Sequence, residues 1–358
     1  MFLKSINIEK FRSFKNLEIE EFKKINLLVG KNGYGKTSLL EAIFLLIGGT
    51  NPTLTTLIQN IRGMFVNTNN DFRYLFNDFR IDDINNNNIK FKATTSDNKE
   101  TRLHIRPNIR MPEYTNLNNA TDQNFVNNRD GKFAPKIIVK TSNELAGIHY
   151  EYFDSSDDKP FSIDYNIPTP TPISFRPRRI KGSYLNSATM PSALKSVGEF
   201  IISKSENELV SVLKEIDSDI TGIKMGPDNT VYIDIEGKTE SVPINIMGDG
   251  IINLISILAS IRKIKNDILL IDEIESGLHF ESLESLWKAV LKACQLYNVQ
   301  IFATTHSYDC IRALSKIYNK DNETISLIRL DKRGDKHTAV TYTANELETA
   351  IENNMRIR

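Results

Sequence analysis

The stretch INLLVGKNGYGKTSLLEAIFLLI, residues 25–47, decides which fold this chain adopts. Its centre, residues 30–37, matches the phosphate-binding pattern G-x-x-x-x-G-K-[ST], in which glycines let consecutive backbone N–H groups turn inward around an anion. A nearly apolar strand, residues 25–29, precedes the loop, and a helix beginning near Ser38 follows it. Such a strand is typical of a parallel α/β sheet, and the positive end of a helix favours bound phosphate. The stretch therefore predicts an α/β fold that binds a nucleotide.

The residue types of the loop indicate which ligands it takes. Lys36 supplies a compact positive charge for the β- and γ-phosphates, and the hydroxyl of Thr37 is a magnesium ligand. We therefore expect ATP and Mg²⁺. The predicted nucleotide-binding residues are Gly30, Lys31, Asn32, Gly33, Tyr34, Gly35, Lys36, Thr37 and Ser38.

Two carboxylates follow a second apolar strand. Residues 268–271 are Ile-Leu-Leu-Ile, and Asp272 and Glu273 come directly after them. Because the carboxyl ends of parallel strands meet at one edge of a sheet, we expect Asp272 to hold the hydration shell of Mg²⁺ beside the loop. Glu273 points elsewhere and polarises a water against the γ-phosphate. His306 follows another apolar strand, residues 299–303, and is predicted to contact the γ-phosphate from the same edge.

A short glycine-containing segment, Gly248-Asp249-Gly250, precedes an apolar helix predicted over residues 251–264. One interpretation is an ordinary turn that caps this helix. The other is a second anion-binding helix N-terminus, placed against the nucleotide of a partner subunit. The spacing alone leaves both interpretations open.

Composition limits the class of protein. The 358 residues carry 45 Lys and Arg against 45 Asp and Glu, and 40% are hydrophobic, which excludes an overall polycation and a wholly disordered chain. Two cysteines cannot build a disulfide framework, which fits a reducing cytoplasm. The sequence shows neither a signal-peptide pattern nor an apolar run near the ~20 residues of a membrane span. We therefore expect a cytoplasmic protein that has no contact with the membrane.

The α/β periodicity is confined to the two ends of the chain. Residues 1–60 and 240–358 are predicted to form one discontinuous head, which closes with a hairpin and a short helix near residues 345–352. Residues 61–239 are rich in Asn and Pro and show amphipathic helix signals only near residues 192–216. We predict that they form an insertion of strands and loops followed by a helical segment.

Two features of this insertion have both a structural and a functional interpretation. The run of four Asn at residues 85–88 is typical of a solvated loop, although functional low-complexity tracts share this composition. The basic residues Arg176, Arg178, Arg179 and Lys181 suit a solvated or salt-bridging loop, and such a cluster can also contact phosphates. Composition favours the structural interpretation in both cases.

The order of the motifs resembles that of the ABC-type ATPases of the RecF, SMC and overcoming-lysogenisation-defect (OLD) group, and most of all the OLD-like AAA-family proteins. The residues that carry it are, in order, Phe11-Arg12-Ser13-Phe14, the phosphate loop, Gly248-Asp249-Gly250, LIDEIESGLH at residues 270–279, and Thr304-Thr305-His306-Ser307. The resemblance covers about residues 1–50 and 240–350. It implies an α/β P-loop NTPase of ABC-ATPase type with a mixed strand and helix insertion.

The resemblance also implies roles for named residues. Gly248-Asp249-Gly250 takes the place of the ABC signature, although without its usual Ser, and closes over ATP bound at Lys36 of another subunit. The protein is therefore expected to form a homo-oligomer built on head-to-head dimers. Glu273 would be the catalytic base and His306 the γ-phosphate sensor. Gln59 is a candidate for the glutamine-loop residue of the family.

The family relationship bears on partners as well. The sequence ends at Arg358, soon after the predicted last helix, so we expect no Toprim domain of the kind that OLD nucleases carry. By analogy with OLD-like anti-phage systems, the expected partner is a separately encoded effector, a nuclease or a toxin. Two alternatives stay open: a RecF-like DNA-repair ATPase that acts on DNA, and a nucleotide-gated scaffold that sequesters a partner. The presence of Glu273 weighs against a purely non-catalytic scaffold.

Overall fold

The computed structural model describes residues 2–79, 81, 87–109, 145–155, 159–167, 181–187, 189–226, 230–317, 324–342 and 344–352. Three members of the predicted basic cluster, Arg176, Arg178 and Arg179, and residues 85–86 of the Asn run lie outside these ranges. Within them, no helix combines the length and the apolar character that crossing a membrane requires.

The described residues form both strands and helices. The strands are β1 (Leu3–Phe11), β2 (Phe14–Ile19), β3 (Ile25–Val29), β4 (Ile89–Thr95), β5 (Glu100–Ile109), β6 (Leu145–Asp154), β7 (Phe161–Tyr165), β8 (Gly182–Leu185), β9 (Ile220–Met225), β10 (Val231–Ile235), β11 (Val242–Pro243), β12 (Ile268–Ile271), β13 (Gln300–Thr304), β14 (Ile325–Arg333) and β15 (Lys336–Tyr342). The helices are α1 (Lys36–Ile47), α2 (Leu54–Ile61), α3 (Met190–Ala193), α4 (Val197–Ile202), α5 (Glu206–Leu213), α6 (Asp249–Lys263), α7 (Leu283–Tyr297), α8 (Tyr308–Ile317) and α9 (Ala344–Glu352). The start of α6, at Asp249, precedes the predicted start by two residues, so part of the glycine-containing segment is helical.

The central sheet brings the three predicted motifs to one edge. Its strand order is β15-β14-β3-β13-β12-β8, and every neighbouring pair except β14 and β15 is parallel. Strands β3, β12 and β13 are buried along their whole length, as their apolar sequences predict. The carboxyl ends of these three strands lead into the phosphate loop, Asp272 and Thr305. The order of the strands therefore places these residues side by side.

A second, antiparallel sheet covers one face of the molecule's core. Its strand order is β2-β1-β4-β5-β6-β7, and burial alternates along strands such as β4, so that one face is packed. Helix α1 lies between this face and the central sheet. Its buried residues Leu39, Ile43 and Leu46 belong to a core that also contains Leu270 and Phe302 of the central sheet.

Helices cover the other face of the central sheet. The apolar stripes of α6, α7 and α8 form a second core with strands β3, β12 and β13. Trp287 of α7 is fully buried in this core, and its Nε1 donates to the carbonyl oxygen of Cys310 in α8 at 3.1 Å. These helices hold the strand ends, and hence the motifs, in fixed relative positions.

Residues 61–239 contribute to both sheets in the described part of the chain. Strand β4 extends the antiparallel sheet from β1, and β8 pairs in parallel with β12 at the edge of the central sheet. Helices α3–α5 follow, and a small sheet of order β11-β10-β9 comes after them and packs into the second core. The segment therefore shares the cores of the head, while its limits as an inserted unit remain a prediction.

Candidate functional site

The phosphate loop turns between β3 and α1 on glycines whose conformation other residues rarely adopt. Gly30, Gly33 and Gly35 have φ angles of 140°, 78° and 94°. A Cβ on Gly30 would lie 2.6 Å from the carbonyl oxygen of Leu330, and one on Gly35 would lie 2.5 Å from the ring of Phe14. Strand β14 therefore confines the loop on one side, and Phe14 confines it on the other.

Lys36 is buried at the start of α1, with 5% of its surface exposed. Its Nζ donates to the carbonyl oxygens of Gly30 at 2.6 Å and of Lys31 at 3.3 Å. Burial lowers the pKa of Lys36, and nearby carboxylates, Asp272 first, oppose that effect. The ammonium group thus lies inside the loop, where the β- and γ-phosphates of a nucleotide are expected.

The two residues predicted to hold magnesium meet at this edge. The Oγ1 of Thr37 donates to Oδ1 of Asp272 at 3.4 Å, although the two residues are 235 positions apart in the sequence. Hydroxyl and carboxylate oxygens are the hard ligands that Mg²⁺ prefers. Thr37 and Asp272 therefore fit this ion by donor type and by proximity.

Glu273 leaves the strand end in a different direction from Asp272. Its φ is 57°, in the left-handed region that non-glycine residues seldom occupy, and its backbone N–H donates to Oγ1 of Thr304 at 2.9 Å. The side chain of Glu273 is exposed, whereas that of Asp272 turns toward Thr37. The two neighbouring carboxylates therefore point in different directions. The carboxylate of Glu273 is left accessible to a substrate water.

His306 is anchored by a residue to which the sequence pattern assigned no role. The backbone N–H groups of His306 and Ser307 both donate to Oε1 of Glu275, at 2.8 Å and 3.1 Å. Glu275 stands in the run at residues 270–279, between Glu273 and the loop that follows it. One carboxylate therefore links the end of β13 to the acidic loop that follows β12, residues 272–279.

A cavity of about 980 Å³ lies over the phosphate loop. It is lined by residues of the loop, by His306, and by cationic and aromatic side chains from other elements, among them Arg12, Arg62, Tyr74 and Lys332. The volume is at the upper end of the range of small-molecule sites and suffices for a nucleotide.

Two of these cations share one buried carboxylate. Glu41 of α1 is 1% exposed and accepts hydrogen bonds from Nε of Arg12 at 3.1 Å and from Nε of Arg62 at 2.6 Å. Arg62 also donates to Oγ of Ser38 at 3.3 Å. Burial lowers the pKa of Arg12. The side chain of Arg62 is 34% exposed; its partial desolvation also acts to lower its pKa, but the hydrogen bond to Glu41 outweighs this effect and the pKa is raised. No motif indicates this cluster, because its three members come from separate elements.

The Gly248-Asp249-Gly250 segment is not among the described residues that line this cavity. It stands instead beside the acidic loop: a Cβ on Gly250 would lie 2.6 Å from the carbonyl oxygen of Gly277, and Nδ2 of Asn253 donates to that of Ser276 at 2.6 Å. Gly248 is the N-cap of α6 in an extended conformation, and Gly248 and Asp249 are exposed. Within one chain the segment caps a helix, and its contact with a partner's nucleotide remains a prediction.

Gln59, the candidate glutamine-loop residue, lies inside α2. It is fully buried, its Nε2 reaches only the carbonyl oxygen of Thr55 at 3.5 Å, and among the described residues it does not line the cavity. A side chain that does approach the acidic strand end, besides Thr37, is Tyr184 of β8, whose hydroxyl donates to Oδ2 of Asp272 at 3.4 Å. The sequence pattern did not indicate Tyr184, because a four-residue strand has no readable periodicity.

Comparison with known proteins identifies the family of the chain. A family model described as "AAA domain, putative AbiEii toxin, Type IV TA system" matches residues 25–309, which is more than half of the chain. A Helicobacter pylori protein named "ATP/GTP phosphatase" is 25% identical over 381 residues, with 98% of each chain covered. The DNA replication and repair protein RecF of Clostridioides difficile is 51% identical over 49 residues, which is 14% of this chain and 13% of that protein.

Two solved structures share the architecture. An SMC head bound to the C-terminal winged-helix domain of ScpA has a TM-score of 0.54 at 11% identity, covering 98% of this chain and 100% of that chain. An SMC head with an extended coiled coil, bound to the C-terminal domain of ScpA derived from Pyrococcus furiosus, has a TM-score of 0.53 at 11% identity and 99% coverage of both. At this identity the likeness concerns the fold, and it confirms the predicted α/β ABC-type architecture. The chain thus belongs to the AAA-domain family of that description and is an ATPase, with the fold of the SMC heads and a local sequence similarity to RecF.

Proposed function

We propose that this chain binds Mg-ATP between two heads and hydrolyses it to switch a larger assembly. The observation that carries the proposal is the convergence of Lys36, Thr37, Asp272, Glu273 and His306 on one edge of the central sheet. Transfer of a phosphoryl group to water requires a cation at the phosphates, a metal site, a group that orients the water and a donor at the γ-phosphate. These five residues supply each of them.

In this mechanism the protein acts by positioning and electrostatics. Lys36 and the loop amides hold the β- and γ-phosphates. Thr37 and Asp272 would hold Mg²⁺, which would further stabilise the negative charge of the phosphates. Glu273 accepts a hydrogen bond from the attacking water and orients it toward the γ-phosphate. His306, whose backbone is held by Glu275, donates to a γ-phosphate oxygen.

The dimeric part of the proposal rests on the start of α6. The first N–H groups of a helix have no partner within the helix, and the helix dipole favours an anion there. Gly248 and Asp249 are exposed at this start, and a Cβ on Gly248 would meet no atom within 4 Å. In our proposal these N–H groups close over phosphates held by Lys36 of the partner subunit.

We further propose that the assembly includes a separately encoded effector and serves anti-phage defence. The description of the family, which names a putative toxin of a Type IV TA system, supports an effector-linked role. The SMC heads of the two solved structures are bound to domains of ScpA, which supports the proposal that a head of this fold holds a second protein.

A RecF-like role in DNA repair is the second candidate, favoured by the local match to RecF. The outer face of the antiparallel sheet offers it little support, because cations there are paired: Lys90 with Glu9 at 3.7 Å, and Lys92 with Glu100 at 2.7 Å. Hydrolysis that is stimulated by duplex DNA, with DNA binding that weakens steeply as salt rises, would favour this candidate.

Turnover and mass measured together test the proposed function. We expect the purified chain to hydrolyse ATP only with Mg²⁺. We also expect ATP to convert monomers into dimers, most completely in the Glu273→Gln variant, because there hydrolysis does not dissociate the dimer. The protein should also co-purify with the product of a neighbouring gene. A chain that binds ATP without any turnover would be a nucleotide-gated scaffold, and hydrolysis by a chain that stays monomeric would contradict the two-head site.

A further inference from the structure

The carboxylate of Asp272 is surrounded by hydroxyl groups from three different elements. Thr37 of α1 and Thr304 of β13 donate to Oδ1, at 3.4 Å and 2.6 Å, and Tyr184 of β8 donates to Oδ2 at 3.4 Å. Thr37 is the predicted metal ligand. The other two hydroxyls belong to residues for which no role has been assigned.

Thr304 contacts three consecutive residues of the acidic strand end. Its Oγ1 donates to Asp272 and accepts from the backbone N–H of Glu273 at 2.9 Å, and its carbonyl oxygen accepts from the N–H of Ile274 at 3.1 Å. Thr304 is fully buried, so water cannot replace these bonds. The bonds to 273 and 274 flank the left-handed backbone of Glu273, a conformation that needs support because it is unfavourable for a residue with a Cβ.

Tyr184 approaches the same carboxylate from the opposite oxygen. Its side chain is 7% exposed, and its ring packs against Phe44 of α1 at 5.5 Å between ring centres. Because the ring is held in place, the position of its hydroxyl is fixed. Rotation of the Asp272 carboxylate would therefore break the hydrogen bond from Tyr184 to Oδ2. With one oxygen held by Thr304 and the other by Tyr184, rotation of the Asp272 carboxylate is restricted.

We propose that Thr304 and Tyr184 are positioning residues, which orient the Asp272 carboxylate toward the metal before it binds, and that Thr304 also fixes the backbone of Glu273. The inference rests on the proposed function of Asp272 and Glu273. Groups that hold a metal ligand in place commonly change metal affinity by about 10- to 100-fold when they are removed. Thr304 should therefore act on both metal affinity and turnover, and Tyr184 mainly on metal affinity.

Thr304→Val and Thr304→Ser form the matched pair, because valine keeps the shape of threonine without its hydroxyl and serine keeps the hydroxyl. In the full chain, binding of a fluorescent ATP analogue is titrated with Mg²⁺, and turnover is measured at saturating Mg²⁺. For Thr304→Val we expect unchanged binding without metal, since Lys36 is untouched. We expect an about tenfold higher half-saturating Mg²⁺ concentration and an about tenfold or greater loss of turnover. Thr304→Ser should stay within about twofold of the parent chain in both measurements.

Tyr184→Phe is the second arm. Its hydroxyl lies farther from the carboxylate than that of Thr304, so we expect a half-saturating Mg²⁺ concentration about threefold higher, with turnover at saturating Mg²⁺ nearly unchanged. If Thr304→Val does not fold, Tyr184→Phe carries the test.

Parent-like Mg²⁺ dependence in a folded Thr304→Val, or in Tyr184→Phe where the valine variant does not fold, would overturn the inference. A Thr304→Ser variant as impaired as Thr304→Val would also overturn it, because the position would then need the methyl group and not the hydroxyl. Failure of the parent chain itself to hydrolyse ATP would instead count against the proposed function, so the two failures are distinguishable.

Discussion

Two glycine-containing segments precede helices near the phosphate-binding edge, and they differ in what shapes them. In the phosphate loop, Gly30 and Gly35 have positive φ angles, and an added Cβ would collide with Leu330 and Phe14. At the start of α6, Gly248 has a φ of −64°, and an added Cβ would meet no atom within 4 Å. The phosphate loop is confined by other residues of its own chain, whereas no described residue requires a glycine at 248. The open space at Gly248 leaves room for the proposed contact with a partner's nucleotide.

The largest expected effect is a difference between variants of the phosphate loop, which lose nucleotide binding, and variants of the acidic strand end, which lose turnover. Lys36→Ala should weaken nucleotide binding strongly, because the Lys36 ammonium lies inside the loop, where it is expected to contact the phosphates in the ground state. Glu273→Gln should keep binding and lose about 10²- to 10⁴-fold in turnover, the range of a positioned general base. Equilibrium binding and phosphate release, measured on both variants, check this division. Parent-like hydrolysis by Glu273→Gln would show that Glu273 is not the base.

The next effect concerns the surface at Gly248. Gly248→Leu should leave ATP binding at Lys36 nearly intact, but should abolish ATP-driven dimerisation and reduce hydrolysis by roughly a hundredfold, as the loss of preorganised donors does. Mass measurements with and without ATP, together with turnover, test both parts.

Mixed dimers provide the control for Gly248→Leu. When Gly248→Leu and Lys36→Ala chains are co-expressed, one of the two sites in a mixed dimer is built from two undamaged halves, so part of the activity should return. Verified mixed dimers without any recovery would leave Gly248 as a plain helix cap.

A smaller effect is expected on stability when an alanine Cβ is added at Gly35 or at Gly248. Gly35→Ala places a Cβ 2.5 Å from the ring of Phe14 at a φ of 94°, and should cost about 2–5 kcal/mol of unfolding free energy. Gly248→Ala adds the same atom in open space at an ordinary φ, and should change stability by less than about 0.5 kcal/mol. Urea unfolding of both variants measures the difference. Equal losses would remove the distinction between the two segments.

The sequence predicts those parts of the site whose residues are close together in the chain. The strand, loop and helix around Lys36 were placed correctly because apolar periodicity and glycine spacing are contained within a few turns. The strand ends carrying Asp272 and His306 were also predicted, since parallel strands share an edge. What could not be predicted depends on non-local strand order: β8 has four residues, and the approach of Tyr184 to Asp272 follows only from its pairing with β12.

The same limit applies to the clusters of buried charge. Glu41 lies in a mostly apolar helix, and only the fold shows that Arg12 and Arg62 both donate to it. Likewise, Glu275 stands within a quoted motif, but its role in holding the backbone at His306 depends on the adjacency of β12 and β13. Spacing in one dimension does not encode these contacts.

The smallest expected effect is a pH dependence on the loop side. His337 of β15 is buried edge-on against Phe14, with 5.0 Å between ring centres, and Phe14 in turn packs against Gly35. Burial, and then Lys332, lowers the pKa of His337, while Asp335 partly opposes them. The unfolded chain, with a histidine pKa near 6.5, therefore binds a proton that the folded chain releases.

The sign of this effect follows directly. The stability contributed by neutral His337 should be complete above about pH 6.5 and should decline as the pH falls below that value toward the folded-state pKa, by at most about 1.4 kcal/mol per pH unit. Urea unfolding of the parent chain and of His337→Leu between pH 5 and pH 8 measures it, and the difference between the two curves removes the contribution of His104, whose pKa is also lowered by burial. Because His337 supports Phe14 behind Gly35, nucleotide affinity should weaken at acid pH in the parent chain more than in the variant. Identical pH profiles in both chains would show that the packing behind the loop does not respond to this proton, and the loop would then depend on its glycines alone.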